Sequence, residues 1–182
     1  QANPNIKILA GGPELDWRDK EFFTKYPYID FIVVGEGEIA CQKILQDIVN
    51  GTVNKRIYQE PRMKDLDIPS PYIAGIFDEL MANHTDIEWI PTLETDRGCP
   101  YACTFCDWGS ATASKMFQIY FERIETELEW FADHKLPFLT MTNSNFGIYK
   151  DRDMQIAELI TNSKKTTGYP SGISVSYAKN SN

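Results

Sequence analysis

The stretch from Glu94 to Gly109 reads Glu-Thr-Asp-Arg-Gly-Cys-Pro-Tyr-Ala-Cys-Thr-Phe-Cys-Asp-Trp-Gly. It contains Cys99, Cys103 and Cys106, three of the four cysteines in the chain. Spacers this short let a loop turn several thiolates toward one metal centre. Two disulfides are a poor alternative, because three crowded cysteines and one distant cysteine do not pair well. The stretch therefore predicts a metal-binding loop, and the rest of the fold is built outward from it.

Alternating strands and helices surround this loop. Pro91–Thr95 predicts a strand that enters it, and the apolar spacing from Phe117 to Phe131 predicts an amphipathic helix that follows it. The next predicted elements are a strand at Phe138–Thr142, a helix capped by Asp151 or Asp153, and a strand at Ile173–Tyr177. Three β/α units in a row are typical of the opening of a β/α barrel, which we assign to residues 91–182.

Residues 1–60 predict a second α/β region. Ile6–Ala10 and Ile29–Val34 are apolar runs typical of buried strands, and each is followed by a helical pattern, at Trp17–Tyr26 and Ile39–Ile48. The order β-α-β-α favours a parallel sheet. Prolines and charges then break the pattern, so residues 61–90 are predicted to form a linker with one short helix at Ile76–Ala82. The predicted fold class is α/β throughout.

Two glycine loops, Gly11-Gly12-Pro13 and Gly35-Glu36-Gly37, follow the first two predicted strands. Ligands of parallel sheets bind outside the carboxyl ends of the strands, so both loops are candidates for ligand binding. They are equally well explained as turns that need a positive φ. Neither loop matches a dinucleotide fingerprint. Cys41, in the second predicted helix, is interpreted as a small core residue.

Composition excludes some classes of partner. The chain has 18 basic and 26 acidic residues and a formal charge of −8, which argues against nucleic acid or an anionic membrane surface as the main partner. No long apolar run predicts a membrane span, and the first residues lack the pattern of a signal peptide. We therefore expect a cytoplasmic protein. The missing initiator Met and the end directly after a predicted strand lead us to expect a fragment.

Three thiolates leave one corner of a four-iron cluster without a protein ligand. An open iron can chelate an amine and a carboxylate and pass an electron to the bound molecule. A zinc site built from the three cysteines and His84 or His134 is the alternative, although structural zinc sites usually pair two Cys-x-x-Cys knuckles. The motif thus predicts either a redox cluster or a non-catalytic metal module.

The pattern Cys99-x-x-x-Cys103-x-x-Cys106, with Phe105 before the last cysteine and a strand before the first, resembles the signature of the radical S-adenosylmethionine (SAM) superfamily. The resemblance covers roughly residues 91–182 and implies half of a partial, TIM-like β/α barrel. It also implies that the three cysteines hold a [4Fe-4S] cluster, at which SAM is cleaved to a 5′-deoxyadenosyl radical.

Further site residues follow from this resemblance. Phe105 is expected against the adenine of SAM. The loop from Asn143 to Gly147 occupies the position that binds the amino group, and it resembles the Asp-x-Asn-Phe variant of cobalamin-linked relatives. Asn143 stands where an acid is common, but the carbonyl oxygens of Asn143 and Asn145 can accept from an ammonium group. The sequence would be the same if Asn143 and Asn145 were only turn residues, so both interpretations stay open. Ser174 and Ser176 are candidates for contacts to the ribose or carboxylate.

Residues 1–60 resemble the end of the Rossmann-like cobalamin-binding domain of class B radical SAM proteins. The resemblance implies cobalamin as a further cofactor, with Gly11, Gly12, Glu36 and Gly37 lining its face. The Asp-x-His-x-x-Gly motif of many cobalamin proteins is absent. The implied function is methyl transfer to an unactivated carbon of a small molecule, with electrons from a flavodoxin or ferredoxin. A radical enzyme without methyl transfer, such as a cyclase or a methylthiotransferase-like protein, is the alternative within the family.

Overall fold

The computed structural model describes residues 3, 5–101, 103, 104, 106 and 115–178. The chain divides into two compact units, Gln1–Lys64 (unit 1) and Asp65–Asn182 (unit 2). Each unit has its own parallel three-stranded sheet, which confirms the α/β class. Of residues 61–90, which the sequence predicts as a linker, residues 61–64 belong to unit 1 and residues 65–90 to unit 2.

Unit 1 is a parallel sheet with strand order β1-β2-β3. Its elements are β1 (Leu9–Gly11), α1 (Phe22–Lys25), β2 (Phe31–Val34), α2 (Gly37–Asn50) and β3 (Ile57–Gln59). The central strand β2 contributes to two apolar clusters. Phe31 and Val33 pack with Ala40 and Ile44 of α2, whereas Ile32 belongs to a separate cluster with Phe22 and Ile29. A strand covered on both faces reads as a continuous apolar run, which is how the sequence predicted it.

Helix α2 follows the prediction closely. It ends at Asn50, and Gly51 takes the left-handed conformation with φ of +66°, donating its N–H to the carbonyls of Asp47 and Ile48. Glycine accepts this conformation without the steric cost of a Cβ.

Two parts of unit 1 differ from the prediction. The helix predicted at Trp17–Tyr26 is only the single turn α1. The residues before it form backbone turns, and the side chain of Asp19 accepts the N–H of Glu21, a local bond that competes with helix formation. Strand β3 was not predicted, since three residues carry no recognisable period. Its Tyr58 is fully buried and donates its hydroxyl to Asp47 at 2.7 Å.

Unit 2 contains a parallel sheet with strand order β4-β7-β8 and a separate antiparallel pair, β5 and β6. The elements of this unit are α3 (Asp78–Asn83), β4 (Thr92–Leu93), β5 (Asp96–Arg97), β6 (Phe117–Gln118), α4 (Phe121–Asp133), β7 (Phe138–Met141), α5 (Lys150–Thr167) and β8 (Gly172–Ser174). Helices α4 and α5 pack together. Leu93, Leu139 and Met141 are buried in the sheet, and Ile124 and Ile156 are buried on the helices.

The helix predicted from Phe117 begins four residues later. Phe117 and Gln118 instead pair with Arg97 and Asp96, so the residues on either side of the cysteine loop form a short antiparallel ribbon. Strand pairing overrides the helical apolar period at this point.

The segment before β4 is bound to α4 and its neighbours. The hydroxyl of Tyr120 donates to Asp65 at 2.9 Å, and Arg123 donates to the carbonyl of Ile68. Arg123 also pairs with the buried carboxylate of Glu127 at 2.9 Å. Within the described residues, no helix combines the length and the apolar character needed to cross a membrane.

Candidate functional site

The cysteine loop of unit 2 starts and ends at the paired strands β5 and β6, and we call residues 96–98 and 115–118 the neck of the loop. Strands β5 and β6 pair directly before Gly98 and after Met116. Gly98 has φ of +115°, and a Cβ placed on it would lie 2.4 Å from the carbonyl oxygen of Lys115. Only glycine satisfies both the backbone conformation and this close approach. The two ends of the loop are therefore held together immediately before its first cysteine.

Arg152 fastens the same neck from α5. Its Nη2 donates to the carbonyl of Thr95 at 3.0 Å and to the carbonyl of Ile119 at 2.7 Å. These carbonyls lie just before β5 and just after β6. One guanidinium thus joins the entrance and the exit of the loop, a role for which the planar fork of arginine is suited.

Of the three cysteines in the loop, Cys99 is buried, with 5% exposure, while Cys103 and Cys106 are half-buried. The N–H of Cys106 donates to the carbonyl of Cys103 at 3.1 Å. All three are free thiols. No three His, Cys, Asp or Glu side chains in the described ranges are gathered closely enough to hold a metal ion. Phe105, predicted against adenine, lies outside the described residues.

The asparagine loop, residues 143–147, follows β7 and reaches the first cysteine. Asn145 is fully buried, and its Nδ2 donates to Sγ of Cys99 at 3.2 Å and to Oγ of Ser144 at 3.1 Å. Ser144 in turn donates its hydroxyl to the carbonyl of Gly98 at 2.7 Å. Two successive side chains of the asparagine loop therefore hold Gly98 and Cys99. The structure brings two predicted site residues, Asn145 and Cys99, into direct contact.

Asn143 lies in a buried polar cluster beside this contact. It is 2% exposed, and its Nδ2 donates to Oγ1 of Thr95 at 2.7 Å and to the carboxylate of Asp96. Burial raises the pKa of Asp96 to about 6, although the hydrogen bonds from Asn143 and Thr95 act in the opposite direction; the nearby charge of Asp153 raises it further.

Three buried acceptors in this cluster have no partner among the described residues: Oδ1 of Asn143, Oδ1 of Asn145 and Oδ1 of Asp96. Buried polar atoms in native proteins are nearly always hydrogen-bonded, so each of these free acceptors is available to a donor. A cation with several N–H groups matches the set chemically.

The end of the asparagine loop is shaped from α5. Gly147 has φ of +97°, and its N–H donates to Oδ2 of Asp153 at 2.7 Å. The same oxygen accepts the N–H of Tyr149 at 3.1 Å. Asp153, predicted as a possible helix cap, thus reaches back from within α5 to bind the N–H groups that precede it. The N–H of Gly147 is thus used within the loop, and its contact with the amino group of SAM stays a prediction.

Ser174 and Ser176 are both exposed. Ser174 lies opposite Thr140 in the register of β7 and β8. The carbonyl of Ser176 accepts the N–H of Phe146 at 2.9 Å, so the chain after β8 runs beside the asparagine loop.

Sequence reasoning missed Thr95, Asp96 and Arg152 as parts of the site. Thr95 and Asp96 are polar residues that closely follow β4, with Asp96 opening β5. Polar residues directly after a parallel strand are a recognisable signal for a binding position. Arg152 carried no comparable signal, because its role depends on two carbonyls 57 and 33 residues away in the chain.

The candidate residues of unit 1 lie at the ends of β1 and β2. Gly11 and Gly12 are exposed, and no atom lies within 4 Å of the position that a Cβ on Gly12 would occupy. Gly37 is the first residue of α2. The carboxylate of Glu36 accepts from Nε of Arg62 at 2.7 Å and from the N–H of Met63 at 3.2 Å. The glycine loop after β1 is thus open, whereas Glu36 is bound within unit 1.

Comparison with known proteins places these residues in a family. No protein-family model matches the chain. The chain is 37% identical, over 98% of its length, to the cobalamin-dependent radical SAM methyltransferase TokK of Streptomyces tokunonensis. It is also 37% identical, over its whole length, to 2-(S-pantetheinyl)-carbapenam-3-carboxylate methyltransferase of Streptantibioticus cattleyicolor. The chain belongs to the radical SAM superfamily, in its cobalamin-dependent class B branch.

The match to this radical SAM branch covers both units but only part of each relative. The chain spans 29% of the length of both methyltransferases. A more distant radical SAM relative is the anaerobic magnesium-protoporphyrin IX monomethyl ester cyclase of Synechocystis, 29% identical over 57% of the chain and 23% of the cyclase. The resemblance read from the cysteine loop is therefore confirmed at the level of the family.

Proposed function

We propose that this chain is the part of a radical SAM enzyme in which the end of a Rossmann-like cobalamin-binding domain (unit 1) precedes the first half of a partial β/α barrel (unit 2). The proposed reaction is cobalamin-dependent methyl transfer to an unactivated carbon. The observation that carries the proposal is the three-cysteine loop after β4, bound through Cys99 to the buried asparagine loop after β7. The 37% identity to two methyltransferases along both units supports it.

The barrel part of the proposal is supported by strand order. Strands β4, β7 and β8 are parallel, neighbours in space and consecutive apart from the β5/β6 ribbon. Their carboxyl ends carry the cysteine loop, the asparagine loop and the segment with Ser176. Active sites of β/α barrels are built from the loops at this end of the strands.

Cys99, Cys103 and Cys106 are the proposed ligands of a [4Fe-4S] cluster. The donor set fits, since Fe–S clusters are held by cysteine thiolates and three of them leave one iron open. When bound, such a cluster supplies the electron that cleaves SAM reductively to methionine and a 5′-deoxyadenosyl radical. The contribution of the chain is positional: the neck at Gly98 and the contact from Asn145 hold the first thiolate in place.

We propose that SAM supplies the hydrogen-bond donors for the three buried oxygens that have no partner among the described residues. Its ammonium group has three N–H donors, and Oδ1 of Asn143, Asn145 and Asp96 supplies three acceptors among the described residues. Ionised Asp96 would also supply the negative charge that Asn143 lacks. Phe105 against adenine, with Ser174 and Ser176 toward the ribose or carboxylate, completes the proposed SAM contacts.

Cobalamin is proposed at the strand ends of unit 1. The open surface at Gly11 and Gly12 would let a flat ring approach the backbone, and Gly37 places the start of α2 at the same kind of strand end. Glu36 takes part by holding Arg62 and Met63 beside the second loop. A small-molecule substrate, a flavodoxin or ferredoxin as electron donor, and a reducing cytoplasmic location belong to the same proposal.

An anaerobic reconstitution experiment tests this proposal. The intact protein is supplied with iron, sulfide and cobalamin, then given SAM and a strong reductant, and 5′-deoxyadenosine is quantified. We expect bound iron and sulfide, retained cobalamin and release of 5′-deoxyadenosine. Release without cobalamin retention would favour a radical enzyme without methyl transfer, as the match to the cyclase suggests. Stoichiometric zinc in place of iron and sulfide would contradict the proposal and favour a metal module.

A further inference from the structure

We infer that Asn145 raises the reduction potential of the cluster by donating a hydrogen bond to the sulfur of Cys99, in addition to any contact it makes with SAM. This inference rests on the proposed function, because it requires the cluster. Asn145 is a positioning residue here, since it acts through a cluster ligand.

The contact is well placed to affect the sulfur. Nδ2 of Asn145 lies 3.2 Å from Sγ of Cys99. Asn145 is fully buried and Cys99 is 5% exposed, so little water competes for the sulfur. In a medium of low polarity a hydrogen bond to a charged acceptor is stronger than in water.

The orientation of the amide follows from its neighbours. Ser144 uses its hydroxyl hydrogen to donate to the carbonyl of Gly98 at 2.7 Å, so its oxygen can only accept from Asn145. If the amide were flipped, Oδ1 would face the Ser144 oxygen without a hydrogen between them. The hydrogen-bond chain therefore directs the NH₂ group toward the sulfur and leaves Oδ1 as the free acceptor.

The electrostatic consequence has a definite sign. Reduction adds one electron, delivered by an external low-potential donor, and makes the cluster and its thiolates more negative. An N–H donor on a ligand sulfur stabilises the more negative state and so raises the potential, as hydrogen bonds to cluster sulfurs do in general. Removing this donor should make the cluster harder to reduce.

The loop offers a matched control. Asn143 is also a buried asparagine, two residues earlier, but its Nδ2 donates to Thr95 and Asp96. Replacing either residue by leucine removes one buried amide from the same loop. Only the change at Asn145 removes a hydrogen bond to a cysteine.

The test is a redox titration of the reconstituted intact protein, without SAM, followed by electron paramagnetic resonance of the reduced cluster. For Asn145→Leu we expect the ratio of reduced to oxidised cluster at a fixed potential to fall about tenfold, equivalent to ~59 mV for a one-electron couple. We expect Asn143→Leu to match the wild type. If Asn145→Leu does not fold, Asn145→Ala removes the same donor without added bulk and is titrated instead.

Two results would overturn the inference while leaving the proposed function intact. One is an unchanged potential in the Asn145 variant, and the other is an equal fall in both variants, which would trace the effect to the loop as a whole. A wild-type protein that assembles no iron–sulfur cluster would instead overturn the proposed function and the inference with it.

Discussion

The loops that follow the strands differ between the two units: one is exposed and the other has buried side chains. In unit 1, Gly11 and Gly12 leave an exposed surface at the end of β1. In unit 2, the loop after β7 fills its space with the buried amides of Asn143 and Asn145, which bind the start of the cysteine loop. The backbone of the first loop is exposed, whereas the second loop is held by hydrogen bonds among its own buried side chains and the start of the cysteine loop. Changes in unit 2 should therefore cost more than matched changes in unit 1.

Two glycines with similar backbone conformations make the sharpest version of this comparison. Gly98 and Gly12 have φ of +115° and +102°, but a Cβ meets the Lys115 carbonyl only at Gly98. We expect Gly12→Ala to lower the free energy of unfolding by about 1 kcal/mol through backbone strain. Gly98→Ala should lower it by about 4 kcal/mol or more, because the clash adds to the strain. Urea denaturation measures both, and equal losses would show that the neck can relax.

Two carboxylates should respond to pH in opposite directions. In unit 2, burial raises the pKa of Asp96 to about 6 from an ordinary value of 3.8. In unit 1, the hydrogen bond from the N–H of Ile8 lowers the pKa of Asp30, with a smaller contribution from Lys7. The folded state therefore holds the Asp96 proton more tightly than the unfolded state does, and the reverse applies to Asp30.

The stability contribution of Asp96 should thus fall as pH rises from about 4 to about 6 and stay constant above that, a change of up to ~3 kcal/mol. The contribution of Asp30 to stability should be present above about pH 4, and it should be lost as the pH falls below that value. Urea denaturation of Asp96→Asn, Asp30→Asn and wild type at several pH values measures the differences. A pH-independent difference between Asp96→Asn and the wild type would contradict the burial argument.

Two arginines that bind backbone carbonyls allow a third comparison. Arg152 in unit 2 is half-buried and joins the carbonyls of Thr95 and Ile119, while Arg56 in unit 1 is exposed and joins those of Ile29 and Asp30. Arg152→Met should cost about 2 kcal/mol, because it removes a buried donor from both carbonyls. The carbonyl of Thr95 keeps the N–H of Ile119 at 3.0 Å, so the larger loss falls on the carbonyl of Ile119. Arg56→Met should cost less than about 1 kcal/mol, since water can replace the donor.

Hydrogen exchange read from peptides at the neck separates these two effects. Faster exchange at Phe117 and Gln118 is expected in Arg152→Met and not in Arg56→Met. If the neck exchanges at the wild-type rate in Arg152→Met, the arginine does not hold it.

The sequence predicted those parts of the fold whose signal is local. Strand β2 is an apolar run, α2 has an apolar face and a terminal glycine, and both elements lie where the pattern placed them. Strands β3, β5 and β6 were missed because two or three residues carry no period. Their formation depends on partners brought close by the rest of the chain, as when Phe117 pairs with Arg97 and leaves the helix that its spacing favoured.

The candidate site also has features that the local sequence predicts and features that only the fold creates. The cysteines and asparagines were recognisable because their residue types and spacing carry the chemistry. The contact between Asn145 and Cys99 spans 46 residues of sequence, and so belongs to the fold. Asp96 owes its raised pKa to burial, which no local pattern expresses.

The most direct test of the central claim is the iron and sulfide content of four single variants after anaerobic reconstitution. Cys99→Ala, Cys103→Ala and Cys106→Ala each remove one proposed ligand, while Cys41→Ala removes the cysteine that packs against the core of unit 1. We predict about four irons per chain in the wild type and in Cys41→Ala, and loss of the cluster in the other three. Undiminished iron and sulfide in any of those three variants would contradict the account.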